Sequence, residues 1–422
     1  MLDIKIIRDN PNSVKEKLSL RGEKPSVVDS ILELDKKRRE CIQETETLKG
    51  LRNTVSSDIA KMKKSGEDAS AKIADMKKVS DDIKGFDDKL NEIEKQIDII
   101  LRDIPNLPDD NVPVGKTADE NVQIKVWGEK PAGDFKYLDH VELGKKLGII
   151  DFEIGTKISG SGFPFYRGKG AILERALINF MLDTHRENGY TEVGVPFLVN
   201  RASMEAAEKV PKFEEDMYRT EPDDLFAIPT AEVPIINIHR DEILKSESLP
   251  IKYCGYTACF RREAGSYGKD TKGFLRVHQF NKVELINFCL PENSYSEMEK
   301  MLVNACGILE SLNVHYRVIE LCTGDLGFSA SKCYDIEVWS PAENKWLEAS
   351  SVSNCTDFQS RRAQIRFKRP DQKGTEYAHI LNGSGLATSR LYVALIESNQ
   401  TPEGKIIVPK ILHKYTGFEI IG

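Results

Sequence analysis

Between Val27 and Ile100 the chain has no proline, almost no aromatic residues and dense Lys, Glu and Asp. Ile73, Met76, Val79, Ile83, Phe86, Leu90, Ile93, Ile97 and Ile100 recur at spacings of three and four, which marks a coiled-coil seam. In the preceding stretch Val27, Leu34, Cys41, Leu48, Val55 and Met62 recur every seventh position. A second register there, Ile31, Arg38, Thr45, Arg52 and Ile59, is only half apolar, so looser packing is expected along it. Lys64-Ser65-Gly66-Glu67-Asp68 separates the two stretches with turn residues. The pattern predicts two helices of roughly 35 residues, an antiparallel arm about 50 Å long. Ile104-Pro105-Asn106-Leu107-Pro108-Asp109-Asp110 then ends it with two prolines and acidic turn residues. The predicted domains are 1–105, with the arm over about 27–100, and 106–422.

Composition narrows the class. A chain of 422 residues, 40% hydrophobic, has enough apolar surface for two or three domains. No run of about 18 apolar residues predicts a membrane helix, and Met-Leu-Asp-Ile-Lys lacks a signal-peptide layout. The expectation is a soluble, cytoplasmic protein. Eight cysteines stand singly, without a C-x-x-C pair, which argues against structural zinc and against a disulfide framework. A net charge of −7 does not favour nucleic acid globally, so any RNA contact needs a local patch. Lys61, Lys63 and Lys64 form one near the predicted tip of the arm.

Chemistry concentrates between residues 256 and 286. Two β-rich runs, Tyr256 to Glu263 and Phe274 to Ile286, flank a connection carrying Gly265, Gly268 and Gly273, and predict a hairpin with a long, mobile loop. Period-two alternation places Arg261 with Glu263 on one strand face, and Arg276, His278, Phe280 and Glu284 on one face of the other. A phosphate-binding cation, a stacking ring and carboxylates on one surface point to a nucleotide site on an antiparallel sheet. Two other glycine patterns do not. Gly383-x-Gly385 lacks the third glycine of a dinucleotide fingerprint, and Gly162 to Gly168-Lys169 is one residue too long for a P-loop.

Thr257-Ala258-Cys259-Phe260-Arg261-Arg262-Glu263-Ala264-Gly265 with Arg276-Val277-His278-Gln279-Phe280 resembles the second motif of class II aminoacyl-tRNA synthetases, in its seryl form. Pro229-Thr230-Ala231-Glu232, Cys322-Thr323-Gly324-Asp325-Leu326-Gly327 and Asn382-Gly383-Ser384-Gly385-Leu386-Ala387 are similar to the same family in the same order. The resemblance implies an α+β fold, a class II antiparallel sheet flanked by helices and preceded by the coiled-coil arm. It also implies a ligase that joins serine to tRNA at the expense of ATP.

Roles follow residue by residue from that resemblance. Arg261 would hold the α-phosphate and Arg390 the γ-phosphate, as the two catalytic cations. Arg262, Glu263, Val277, Phe280, Glu348, Ala349, Ser350 and Ser351 would complete the ATP site, with Glu263 on the adenosine part and Phe280 stacked under adenine. Glu348 and Ser351 would hold Mg²⁺, and no zinc is expected. Thr230, Ala231, Glu232, Arg261, Glu284 and Ser384 would bind serine, with a carboxylate reading its hydroxyl. Lys61, Lys63 and Lys64 would meet tRNA. Implied partners are tRNA(Ser), the selenocysteine tRNA, ATP, L-serine and a second copy of the chain, joined through the helix and strand around residues 172–199. Ser389 stands where most members have glycine.

The residues alone leave other readings open. The arm suits a spacer or dimerisation coiled coil, Glu348 suits an edge strand, and Arg261 suits a cross-strand partner for Glu263. A serine-activating enzyme that loads a carrier protein, and a coiled-coil binding protein on a silent ATP fold, are the alternative functions. The short stretch after Arg390 leaves no room for an appended anticodon domain, which favours the seryl form.

Overall fold

The computed structural model describes residues 1–264 and 272–422, so Gly265 and Gly268 of the predicted loop lie outside the described residues. The chain divides into two compact units, Met1–Leu107 and Pro108–Gly422.

In the first unit two short helices, Ile4–Asp9 and Pro11–Leu20, precede α1 (Ser26–Ser65) and α2 (Ser70–Asp103). These run to 40 and 34 residues, and α1 stops at Gly66, whose N–H bonds the Met62 carbonyl. The heptad positions of α1 all turn inward, wholly or in part. At one polar position of the second register the helices are joined by charge, Arg38 Nε donating to Glu94 at 2.9 Å, and outside that register Lys49 reaches Asp87 at 3.4 Å. The looseness expected of that register instead follows distance along the arm. Ile31, Cys41, Ile93 and Ile97 are buried, whereas Ile73 is 44% exposed. Two helices without a third cannot enclose a seam completely, least of all near a free end.

The second unit is built on an eight-stranded sheet. Its strands are β1 (Val122–Trp127), β2 (Thr191–Glu192), β3 (Ile251–Phe260), β4 (Gln279–Cys289), β5 (Tyr316–Glu320), β6 (Lys332–Ser340), β7 (Lys345–Asn354) and β8 (His379–Ala387). The spatial order is β1-β5-β6-β7-β8-β4-β3-β2, antiparallel throughout except at β2–β3. Helices α3 (Lys169–Glu187), α4 (Ser294–Ser311) and α5 (Thr388–Ser398) share one core with Val283, Leu285, Val318, Ile336 and Leu381 of the sheet. Gly385 lets α3 approach, since a Cβ there would lie 2.4 Å from His185 Nε2. That ring nitrogen donates to the Gly385 carbonyl at 2.8 Å.

Alternation on β4 decides which face holds the chemistry. Val283 and Leu285 point into the helical core. Ile286 and Phe288 point the other way, into a second apolar cluster with Ala231, Ile235 and Ile380. Glu284 and Lys282 follow on that second face, where apolar packing gives way to polar side chains.

Two expectations change here. The hairpin strands are Ile251–Phe260 and Gln279–Cys289, shifted from the predicted spans, and Arg261, Glu263, Arg276 and His278 lie beyond the strand ends. Arg262 N–H bonds the Asp216 carbonyl and Glu263 takes φ +53°, so the chain leaves the sheet. Of the strand expected at the end of the 172–199 stretch, Val193 to Val199, only Leu198 and Val199 lie in a strand. Thr191–Glu192 pairs with β3, while Leu198–Asn200 joins a separate three-stranded sheet. Pro196, without an N–H, lies between them.

Candidate active site

The polar face of β4 and β8 floors a cleft of about 460 Å³. That volume falls within the usual range of small-molecule sites, roughly 300–1,000 Å³. Arg261, Phe280, Lys282, Glu284, Ser384 and Arg390 line it, with Val277 and the β7 residues Glu348 to Ser351 on its walls. A neighbouring cavity of about 530 Å³ shares Lys209, Thr230, Glu232, Arg261, Glu263, Arg276 and Asn382 with it, and adds Phe213 and Phe328.

At one end the side chains are buried and charged. Glu284, 2% exposed, sits in register opposite Ser384 on β8 and forms an ion pair with Lys282. Lys282 Nζ donates to Thr230 Oγ1 at 2.8 Å, and the Thr230 hydroxyl donates to Glu284 Oε2 at 3.3 Å. Burial raises the Glu284 carboxyl above its ordinary value, against the pull of Lys282. Glu232 goes the other way. Burial opposes its ionisation, but Lys209, Lys282 and Gln359 outweigh it and hold its carboxyl below the usual range. Lys209 Nζ lies 3.0 Å from Glu232 Oε2, and Gln359 Nε2 donates to Oε1 at 2.6 Å. Two buried carboxylates in one pocket thus have opposite tendencies, a difference set by their partners.

The other end is cationic and more open. The Arg261 guanidinium lies 5.1 Å over the Phe280 ring, and its Nε donates to the Pro229 carbonyl at 3.4 Å. Glu263 accepts from Arg276 Nη1 at 2.6 Å, so Arg276 takes the ion-pair place that alternation alone offered to Arg261. Arg390, in the first turn of α5, donates to the Glu348 carbonyl at 2.8 Å. Asp335 pairs in register with Ser351, and burial followed by the Glu348 charge pushes its carboxyl up to about 8. Glu348 and Ser351, which line the cleft, offer hard oxygen donors that suit a phosphate-bound cation.

A likeness to known proteins covers both units. The seryl-tRNA synthetase N-terminal domain model matches residues 1–108, and the tRNA synthetase class II core domain model (G, H, P, S and T) matches 212–399. A serine–tRNA ligase from Chloroherpeton thalassium is 56% identical over 100% of both chains. The chain belongs to the seryl-tRNA synthetase family. Among solved members of that family, the Pyrococcus horikoshii enzyme complexed with ATP has a TM-score of 0.94 at 41% identity, covering 100% of this chain and 99% of that one. The Naegleria fowleri cytoplasmic serine–tRNA ligase in complex with AMP gives 0.90 at 32%, covering 100% and 98%.

Seen as a seryl-tRNA synthetase, the chain brings Thr230, Glu232, Arg261, Glu263, Val277, Phe280, Glu284, Glu348, Ala349, Ser350, Ser351, Ser384 and Arg390 around one cleft. Ala231 and Arg262 are placed otherwise. Ala231 is fully buried in the apolar cluster beneath the floor, and Arg262 Nη1 donates to the Glu215 carbonyl at 3.2 Å. His278 lines neither cavity. Its ring stacks on Phe163, with centroids 5.4 Å apart, and its Nδ1 lies 2.9 Å from the Arg261 carbonyl. Ser389 is helical, so the turn there does not need glycine. Lys61, Lys63 and Lys64 are exposed at the end of α1. Sequence reasoning passed over Lys209, Lys282 and Gln359, and took Asn382 only as part of a motif without a role. Of the three passed over, Lys282 carried a local signal, because it shares the strand face of Phe280 and Glu284.

Proposed function

We propose that this chain activates L-serine with ATP and transfers the seryl group to the 3′ end of tRNA(Ser). The observation that carries the reading is the convergence of Arg261, Arg390 and the buried Glu284 on one cleft, in a chain of this family. In the first step a serine carboxylate oxygen attacks the α-phosphorus of ATP, forming seryl-adenylate while pyrophosphate leaves. The nucleophile is already ionised, so a strong base is unnecessary. What the step demands is positioning and positive charge. Arg261 supplies a planar fork suited to phosphate oxygens and Arg390 a second cation. In the second step a ribose hydroxyl of the tRNA end attacks the adenylate carbonyl, and AMP leaves.

Glu284 reads the serine hydroxyl, with Thr230 and Ser384 beside it. Lys282 and Thr230 both bond Glu284 Oε2, so an amino acid without that hydroxyl leaves the buried carboxylate one hydrogen bond short, which is how alanine and glycine are rejected. The oxygen donors of Glu348 and Ser351 suit magnesium, which when bound with ATP offsets phosphate charge. The arm in residues 1–105 binds tRNA, including the selenocysteine tRNA, and residues 106–422 carry activation. A homodimer is favoured by Phe197 and Leu198, which are 37% and 49% exposed in the 172–199 stretch that would join the two copies. Among the described residues no helix is long and apolar enough to cross a membrane, in keeping with a cytoplasmic location.

ATP–pyrophosphate exchange with a panel of amino acids tests the reading, followed by charging of tRNA(Ser) and tRNA(Sec) transcripts. Serine-dependent exchange with tRNA charging is expected. Exchange without charging would favour carrier loading, and exchange preferring another amino acid would overturn the serine assignment.

A further inference from the structure

His140 and Glu397 are both fully buried, away from the residues assigned to substrates. The main-chain N–H of Phe274 donates to His140 Nε2 at 3.1 Å. With Nε2 accepting, the ring hydrogen belongs on Nδ1, which lies 3.1 Å from Glu397 Oε1. The His140 main-chain N–H donates to that same oxygen at 2.9 Å, and Ser340 Oγ donates to the other. Glu397 therefore has partners on both oxygens, and the ring is fixed in one orientation.

What the ring holds is the descending edge of the nucleotide-binding hairpin. Gly273 has φ +58°, and a Cβ there would lie 2.1 Å from His140 Nε2, so the backbone packs directly on the imidazole. Lys272 Nζ bonds Asp139 Oδ2 at 2.5 Å one residue earlier. Leu275 follows, and its carbonyl accepts from Arg390 Nη2 at 3.4 Å. Phe274 and Leu275 both line the cleft. Arg390 and Glu397 stand on the same helix, α5. One helix thus grips this segment twice, through Arg390 directly and through Glu397 by way of His140.

We propose that His140 is a positioning residue for nucleotide binding, pinning residues 272–275 to α5 so that Arg390 and the cleft wall keep a fixed separation. The proposal rests on the reading of this cleft as the ATP site. It assigns His140 an effect on ATP and none on serine, whose contacts lie at the Glu284 end.

Two substitutions in the full chain separate the ring's two bonds. In His140→Gln the amide oxygen reaches the place of Nε2 and can accept from Phe274. In His140→Asn the amide replaces Nδ1 toward Glu397, but nothing reaches Phe274. Losing one hydrogen bond corresponds to roughly a three- to tenfold effect. His140→Asn should therefore raise both the ATP KM in pyrophosphate exchange and the ATP Kd by calorimetry by about that factor. The serine KM should stay within about twofold, and His140→Gln should restore ATP binding to near the parent value. Gly273→Ala pushes the same segment off the ring from the other side, and should give the same signature if His140→Asn does not fold. Equal ATP affinity in the Asn and Gln variants, or a parallel rise in the serine KM, would overturn the assignment. A parent that exchanges no amino acid would sink the proposed function instead, and the ATP Kd comparison would still decide the role of His140.

Discussion

Arg390 Nη1 donates to the main-chain carbonyl of Glu348 at 2.8 Å and lies 3.5 Å from the same residue's carboxylate. A cation in the first turn of a helix is opposed by the helix dipole and calls for an anionic partner. Glu348 supplies that partner on β7 while its side chain remains half exposed. The pair is too open to contribute much to folding, where exposed pairs give about 0–1 kcal/mol. Glu348→Gln should therefore leave thermal stability almost unchanged. It should raise the magnesium concentration needed for half-maximal pyrophosphate exchange by about tenfold or more, the scale for weakening a metal site. An unaltered magnesium requirement would assign the metal to other groups.

The Arg261 side chain makes few structural contacts for one at the centre of a cleft, a long bond to Pro229 and the stack over Phe280. Arg261→Ala should cost about 10²–10³ in the rate of serine activation, the scale for removing one transition-state donor. Exchange within threefold of the parent would rule out the phosphate role.

Lys282 and Glu284 form a buried pair, and their substitutions should not be equivalent. Glu284→Ala should raise the serine KM far more than the ATP KM and narrow the preference for serine over alanine. Lys282→Met leaves the carboxylate buried without its cation. The expected loss is on the order of 3–5 kcal/mol, the cost of breaking a buried pair from one side. Denaturant unfolding of Lys282→Met against the parent measures that loss, and a variant as stable as the parent would refute it.

The contrast between the arm and the cleft shows what could be read from the chain alone. The arm repeats every seven residues, a local signal, and apart from Ile73 near its free end the heptad positions turn inward as expected. Phe280 and Glu284 share a strand face for an equally local reason. Arg261 and Glu263 did not stay on a strand because Arg262 and Ala264 are captured by Asp216, which no alternation pattern contains. Glu232 was legible as a motif residue, but its partners Lys209 and Gln359 come from 23 and 127 positions away. Distant partners decide whether such a carboxylate is free for substrate or tied to the fold, and a single sequence carries no mark of them.

Glu174 on α3 offers a test by pH. It is buried, accepts from Asn281 Nδ2 at 2.8 Å, and burial raises its carboxyl to about 7. The unfolded chain gives up this proton near the ordinary carboxyl value of 4.5, whereas the folded chain keeps it until about 7. Between those values the folded state holds more protons, so this group's contribution to stability falls as pH rises and levels off above 7. Glu174→Gln retains an accepting oxygen without the ionisation. The variant should gain on the parent by up to about 3 kcal/mol between pH 4.5 and 8, because a tenfold difference in proton affinity between the folded and unfolded chain is worth roughly 1.4 kcal/mol. Urea unfolding at the two pH values measures it. Identical pH dependence in the two proteins would show that Glu174 titrates normally.

The arm and the cleft belong to different compact units, so their roles can be separated by deletion. The residues assigned to ATP and serine begin at Thr230 and the positioning residue is His140, all beyond the heptads, which end by Ile100. Replacing Leu34 to Ile97 with a short Gly/Ser linker should leave serine-dependent pyrophosphate exchange within a few-fold of the parent. Transfer to tRNA should collapse, because a paired helix that encloses so little apolar surface is better suited to reach than to core. Substituting Lys61, Lys63 and Lys64 with alanine in the intact chain should weaken charging more at low salt than at high salt. Each lost phosphate contact should reduce the slope of log affinity against log salt by about 0.7–0.9. An armless protein that charges tRNA at the parental rate would make the arm a spacer, and an unchanged salt slope in the lysine variant would move the RNA contact elsewhere on it.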